Sequence, residues 1–169
     1  MKTIKRKLKG FTLIELLIVI AIIAILAGVA FVALDPLTRF KNARDASRWS
    51  DISAILSAIK VNQVDNGGSY LSSIASTTAD VSYMITAGAT TGCNAQNTNC
   101  SVAIAATGNC VDISQLVTKG YLGKVPVSQN GAGAWTPSIT GYVLTRSATG
   151  IITIKACENE NTASISVAR

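Results

Sequence analysis

The chain has 169 residues, with 15 Lys and Arg against nine Asp and Glu, which leaves a formal net charge of +6. Five of these cations lie within the first ten residues, and from Phe11 onward ten cations face nine acids. The body of the chain is therefore nearly neutral and offers no general reason to expect binding to a nucleic-acid backbone. The sequence contains no histidine, which excludes catalytic Ser–His and Cys–His pairs.

A long apolar stretch follows this basic leader, residues 1–10. No charged residue occurs between Leu16 and Leu34, and a helix of that length spans a hydrocarbon core of about 30 Å. A cleaved secretory signal has a shorter apolar region of about 7–15 residues followed by an A-x-A-like site, which is missing here. We therefore predict a single transmembrane helix over residues 11–35. The basic leader predicts a cytoplasmic N-terminus and an extracytoplasmic C-terminal domain.

An amphipathic helix is predicted next, over residues 36–66, because apolar residues recur at spacings of three and four. Pro36 either kinks a continuous helix or occupies the first turn of a new one, with Asp35 as its cap. The run Asp65-Asn66-Gly67-Gly68 predicts the end of the helix. The residues expected on its buried side are Leu37, Phe40, Trp49, Ile52, Ile55, Leu56 and Ile59. Those expected on the opposite, charged side are Lys41, Arg44, Asp45, Arg48 and Asp51.

Residues 67–169 are expected to form an exported globular head. Residues 141–146 and 151–157 are rich in β-branched and apolar residues and flank a turn, which predicts a β-hairpin with residues 163–168 as a third strand beside it. Residues 111–122 are compatible with a short helix, and residues 81–85 and 102–106 with either strand or loop. The fold class is therefore α+β, with a long N-terminal helix, half transmembrane and half amphipathic, packed on a small antiparallel sheet.

Four cysteines, Cys93, Cys100, Cys110 and Cys157, lie in this head. An even number on the exported side favours disulfides over a metal site, since the chain has neither a CxxC motif nor histidine. Three pairings are possible. We expect Cys93–Cys100 to close a small loop and Cys110–Cys157 to tie the end of the domain to its middle.

One acid, Glu15, lies next to the apolar stretch. A carboxylate inside a membrane helix costs several kcal/mol unless it is neutralised, so such an acid indicates a function, unless it is solvated at the interface. Residues 10–15 read G-F-T-L-I-E after the basic leader. This string resembles the processing site of class III signal sequences, found on type IV pilins and on the pseudopilins of type II secretion.

The resemblance implies a pilin-like fold and a specific maturation. A prepilin peptidase would cut between Gly10 and Phe11 and methylate the new Phe11 amine. Glu15 would pair with the Phe11 amine of a neighbouring subunit during assembly. A pair within one helix competes with this, because Phe11 and Glu15 lie one turn apart.

No cofactor is predicted. Some pseudopilins carry calcium in a C-terminal loop, but the corresponding stretch here, residues 125–130, contains no acid, so no metal is expected. Asp112, Glu158 and Glu160 are interpreted as isolated, solvated acids.

The leading hypothesis is a structural filament subunit of a pilus, a secretion pseudopilus or a DNA-uptake pilus. Its expected partners are copies of itself or other pilin-like subunits, the prepilin peptidase and an inner-membrane assembly platform. When assembled, it would lie in the periplasm or at the cell surface. The alternative is a monomeric, membrane-anchored binding module. No motif supports an enzyme.

Overall fold

The computed structural model describes residues 10–93, 99–104, 110–129 and 133–169. Its internal contacts divide the chain into two compact units, one that ends at Arg39 and one from Phe40 to Arg169. The first unit contains helix α1, Leu13–Leu34, in which no residue is buried by the chain itself. This helix consists mainly of branched and small apolar residues. Its side chains can therefore be buried only by lipid or by other protein chains.

Helix α2, Pro36–Asp65, begins directly after α1. The two are separated by Asp35, whose φ of 35° is left-handed and interrupts the helical backbone. The Asp35 carboxylate accepts hydrogen bonds from the Thr38 hydroxyl at 2.6 Å and from the Thr38 N–H at 3.4 Å. Pro36 therefore occupies the first position of a new helix that Asp35 caps, one of the two arrangements that the sequence left open. The helix ends at Asp65, the first residue of the run that predicted its end.

A five-stranded sheet forms the second unit, in the order β2-β1-β3-β4-β5. Its strands are β1 (Ser82–Thr86), β2 (Val111–Asp112), β3 (Tyr142–Arg146), β4 (Ile152–Ala156) and β5 (Ser166–Ala168). The predicted hairpin is confirmed as β3 and β4, and the predicted third strand is β5, antiparallel to β4. Two short helices, α3 (Ser72–Ala75) and α4 (Ser114–Thr118), connect the remaining segments.

The predicted small antiparallel sheet is present in β1, β3, β4 and β5, but β2 adds to it in parallel to β1, so the whole sheet is mixed. Residues 111–122 are divided between β2 and α4. The Asp112 carboxylate accepts from both the N–H and the hydroxyl of Ser114, at 2.8 and 2.9 Å, which turns the chain from strand into helix. Residues 102–104 form no strand, and residues 105–109 lie outside the described part.

Two apolar cores lie on the two faces of the sheet, as the two-residue period of the strands dictates. Tyr142 and Leu144 of β3 join the larger core, which includes Ile52, Ile55 and Ile59 of α2. Val143, between them, joins the smaller core with Met84, Ile104, Trp135 and the cysteines. The second unit is thus a long helix packed on a mixed sheet, the α+β architecture of a pilin-like fold.

The disulfides join Cys93 to Cys110 and Cys100 to Cys157, so the expected pairing is wrong. Backbone hydrogen bonds at and beside the cysteines bring the paired residues together. The Cys110 N–H donates to the Thr90 carbonyl oxygen at 3.1 Å, which brings the segment before β2 beside the segment after β1. The Ser101 N–H donates to the Cys157 carbonyl oxygen at 2.9 Å, which places Cys100 beside the end of β4. Proximity along the chain is therefore a poor guide to the pairing.

Candidate functional site

The peptide bond between Gly10 and Phe11 lies in non-helical chain before α1. Phe11 is 82% exposed, and the space around the Gly10 Cα is open, since an added Cβ would meet no atom within 4 Å. An exposed, non-helical peptide bond of this kind can enter the active site of a peptidase.

Glu15 is held at the N-terminus of α1 by a capping box with Thr12. Its Oε2 atom accepts from the Thr12 N–H at 2.9 Å and from the Thr12 hydroxyl at 2.6 Å. In return, the Glu15 N–H donates to Thr12 Oγ1 at 3.3 Å. The arrangement satisfies backbone donors of the first turn and places the negative charge where the helix dipole favours it. The carboxylate thus has Thr12 as a partner within its own chain, a contact that the sequence analysis missed, although T-x-x-E is a recognisable capping pattern.

Helix α1 exposes a continuous apolar surface. Within the described residues, one helix is long and apolar enough to cross a membrane, and its most apolar window has a mean hydropathy of 3.2 and no burial inside the protein. So large an apolar surface is stable only in lipid or against other apolar helices.

An ionic cluster around the buried Arg48, formed with Asp45, Glu158 and Glu160, joins α2 to the loop between β4 and β5. Arg48 is fully buried, and its Nη1 donates to Asp45 Oδ1 at 2.8 Å and to Glu160 Oε1 at 3.1 Å. Its Nη2 lies 3.8 Å from Glu158 Oε2. The guanidinium thus neutralises carboxylates from both elements, as a buried charge requires.

The Asp45 carboxylate binds backbone N–H groups of the loop between β4 and β5. It accepts from the N–H groups of Glu160, Asn161 and Thr162 at 3.1, 2.9 and 3.1 Å. Burial raises the pKa of Asp45, but the hydrogen bonds from Asn161, Thr162 and Glu160 outweigh it, so that the pKa of this carboxyl is lowered. The hydrogen bond from Arg44 likewise lowers the pKa of Glu160. Both carboxylates are therefore built into the fold in their charged form.

This cluster overturns the expected division of α2 into a buried apolar side and a solvated charged side. Asp45 and Arg48 are buried, whereas Leu37 and Phe40 are 72% and 62% exposed. The signal was present in the sequence, since steps of four and three back from Ile52 reach Arg48 and Asp45 on the same side of the helix. The prediction placed Asp45 and Arg48 on the solvated side because both are charged.

The interpretation of Asp112, Glu158 and Glu160 as solvated acids is also wrong. Glu158 accepts from the Gly133 N–H at 2.6 Å and from Trp135 Nε1 at 2.9 Å. Asp112 accepts from the Gly88 N–H at 2.8 Å as well as from Ser114. These acids order loops, and apart from the local contact between Asp112 and Ser114 this role depends on residues distant in the chain.

The ionic cluster predicts a loss of stability in acid. Groups with a lowered folded pKa, here Asp45 and Glu160, contribute stability above their ordinary pKa, and this is lost as pH falls through the folded pKa. Asp51, whose pKa burial raises despite a hydrogen bond from Tyr142, has the opposite sign and offsets part of the loss. We expect the free energy of unfolding to fall below about pH 4. Urea unfolding of the full chain in lipid nanodiscs, followed by tryptophan fluorescence, measures it.

The matched variants for this measurement are Asp45→Asn and Glu160→Gln. Each should be less stable than the wild type at neutral pH and should lose less stability between neutral pH and pH 3. If the free energy of unfolding of both variants fell as steeply in acid as that of the wild type, Asp45 and Glu160 would not be the cause of the acid sensitivity.

The apolar helix, which no other part of the chain buries, fits a single-pass membrane-anchored protein. Residues 5–31 match the model of the prokaryotic N-terminal methylation motif. The chain therefore carries the signal of type IV pilins and pseudopilins. No curated protein and no solved structure gives a significant match to the chain.

Proposed function

We propose that this chain is a structural subunit of a type IV pilus-like filament or of a type II secretion pseudopilus. It is made as a prepilin, cleaved after Gly10, methylated at Phe11 and assembled through α1. The observation that carries the proposal is the methylation motif at residues 5–31, which coincides with an exposed Gly10–Phe11 bond and a helix that the chain itself leaves unburied.

Apolar burial supports the assembly step. The side chains of α1 are solvated nowhere in the proposed cycle, because they pass from lipid into contact with neighbouring copies of the same helix. Cleavage removes the five leader cations and leaves one new cation, the Phe11 amine. That ammonium and the Glu15 carboxylate are each costly to bury alone and tolerable as a pair. Glu15 would then exchange its Thr12 contacts, or share them, with the Phe11 amine of a neighbour.

Topology and partners follow from the same features. The leader cations favour a cytoplasmic N-terminus, where a prepilin peptidase and an inner-membrane assembly platform would act. Two disulfides in the second unit suit an oxidising compartment outside the cytoplasm. The division of the chain, with a leader at 1–10, an assembly helix at 11–35, its extension at 36–66 and a head at 67–169, is part of this proposal.

Maturation is tested by intact-mass and N-terminal analysis of the protein from a membrane that contains prepilin peptidase. We expect the wild type to begin at methylated Phe11. In Gly10→Leu the added side chain should obstruct access to the scissile bond and leave the chain uncleaved. Leu8→Ala, a nearby substitution that keeps every leader charge, is the matched control and should be processed normally.

An unmethylated N-terminus at Met1 in the wild type would contradict the proposal. So would full processing of Gly10→Leu, because the peptidase would then be reading some other feature of the leader.

A further inference from the structure

A polar groove on the second unit has no role in the proposed assembly. Its volume is about 420 Å³, and it lies between α3, β1 and the outer strand β2. Volumes of this order are typical of small-molecule sites. Six of the residues that line the groove carry hydroxyl groups, namely Ser73, Ser76, Thr77, Thr78, Tyr83 and Thr90.

The hydrogen bonds that these hydroxyls make within the protein determine whether each can donate to a ligand or accept from it. Ser73 Oγ donates to the Asp112 carbonyl oxygen at 2.6 Å, and Ser76 Oγ donates to the Ser73 carbonyl oxygen at 3.2 Å, so each keeps lone pairs for accepting. Tyr83 Oη accepts from the Thr78 N–H at 3.1 Å and keeps its own proton for donation. The hydroxyls of Thr78 and Thr90 have no hydrogen-bond partner among the residues described, and each can donate and accept.

Charge at the groove disfavours anions. Among the described residues that line it, the Asp112 carboxylate is the one charged group. The Arg146 guanidinium is not part of this lining and is engaged by the Oγ1 and carbonyl oxygen atoms of Thr77. The Asp112 carboxylate already accepts from the Gly88 N–H and from the N–H and hydroxyl of Ser114, which leaves it little capacity to hold a bound cation. A wholly apolar ligand would leave the hydroxyls desolvated and unpaired.

Binding of an extended peptide as an additional strand beside β2 is disfavoured. Adding a strand requires free N–H and C=O groups along an edge. Here Ser73 of α3 takes up the Asp112 carbonyl oxygen, so α3 covers this edge. The groove therefore offers rotatable hydroxyl groups that both donate and accept hydrogen bonds. Such groups complement a ligand that also carries hydroxyls.

We propose that this groove binds a neutral saccharide. Each sugar hydroxyl is both donor and acceptor, so it can pair with Tyr83 as donor, with the serines as acceptors and with Thr78 and Thr90 in either sense. The proposal does not depend on filament assembly, and it can hold for a single membrane-anchored chain.

The test uses full-length protein in phospholipid nanodiscs, which contain no sugar, and saturation-transfer NMR. The probes are glucose, galactose, mannose, N-acetylglucosamine and their short oligosaccharides, with N-acetylneuraminic acid as an anionic comparison. We expect saturation transfer to at least one neutral probe and weaker transfer to the anionic one. Tyr83→Phe removes the donor and Thr90→Val a hydroxyl, and each should weaken binding about five- to tenfold, the effect of one lost hydrogen bond.

Thr149→Val, in the exposed turn between β3 and β4, is the matched control and should bind as the wild type does. Thermal unfolding of each variant separates loss of binding from loss of fold, and if Tyr83→Phe is destabilised, Thr90→Val still decides the question. The proposal is overturned if no neutral probe binds, if only the anionic probe binds, or if Thr90→Val and a folded Tyr83→Phe both bind like the wild type.

Discussion

A Glu15→Ala variant is expected to be inserted and processed normally but to enter filaments at least tenfold less than the wild type. The reason is that the Phe11 amine of a neighbouring subunit would be buried without a counter-charge, the kind of loss that is strongly destabilising for buried pairs. Mass spectrometry of sheared surface material, normalised to the processed protein in the membrane fraction, measures this ratio. The expectation depends on the proposed function.

Two further variants separate the charge of Glu15 from its capping role. Glu15→Gln keeps an oxygen that can accept from the Thr12 N–H and hydroxyl but removes the negative charge. Thr12→Val keeps the charge and removes the hydroxyl. If the charge is what assembly needs, Glu15→Gln should fail nearly as completely as Glu15→Ala, whereas Thr12→Val should retain more assembly than either Glu15 variant.

Normal filament levels of Glu15→Ala would remove the assembly role of this residue. Normal levels of Glu15→Gln alone would reduce that role to helix capping. If the processed wild type gives only monomers on membrane crosslinking and no extracellular fraction, the alternative of a monomeric anchored module is favoured instead.

An Arg48→Met variant is expected to destabilise the second unit by about 3–5 kcal/mol, the usual cost of removing one partner of a buried ion pair. Methionine fills much of the same space, so the loss is mainly electrostatic: the buried Asp45 and the partly buried Glu160 would lack the guanidinium that bonds to both. Urea unfolding of the full chain in nanodiscs at neutral pH measures the change. Both tryptophans, Trp49 and Trp135, lie in the second unit and report its unfolding.

Arg44→Met is the matched control. Arg44 also bonds to Glu160, with 2.6 Å from its Nε to Glu160 Oε1, but its side chain is 36% exposed, so a much smaller loss is expected. Combining Arg48→Met with Glu160→Gln should recover part of the stability, because a buried neutral amide costs less than a buried unpaired charge. Equal losses for Arg44→Met and Arg48→Met would show that burial of the guanidinium is not what matters.

Local signals allowed the ends of the helices and the C-terminal hairpin to be predicted. The Asn-Gly-Gly run after Asp65 acts on the backbone within a few residues, so its effect can be read without knowing the fold, whereas Pro36 after Asp35 allowed two arrangements. The alternating apolar residues in β3 and β4 are also a local signal. The N-terminal methylation motif is likewise a contiguous stretch, so it could be recognised without knowing the fold.

Contacts between distant residues could not be predicted in this way. The parallel pairing of β2 with β1 and the partners of Cys93 and Cys100 depend on which segments the sheet brings together. The burial of Arg48 depends on carboxylates more than 100 residues further along the chain, Glu158 and Glu160. A charged side chain is ordinarily assigned to solvent, and only its partners in space reverse that assignment.

By itself, the sequence determined the N-terminal features: a basic leader, a methylation motif, an acid in the first turn and an apolar helix long enough to span a bilayer. These properties reside in consecutive residues and in the free energy of transferring them between water and lipid. Only the tertiary structure decided the disulfide pairing, the mixed sheet, the ionic cluster beneath α2 and the hydroxyl-lined groove. Each of these consists of groups that are far apart in the chain and acquire their chemistry from the neighbours that folding gives them.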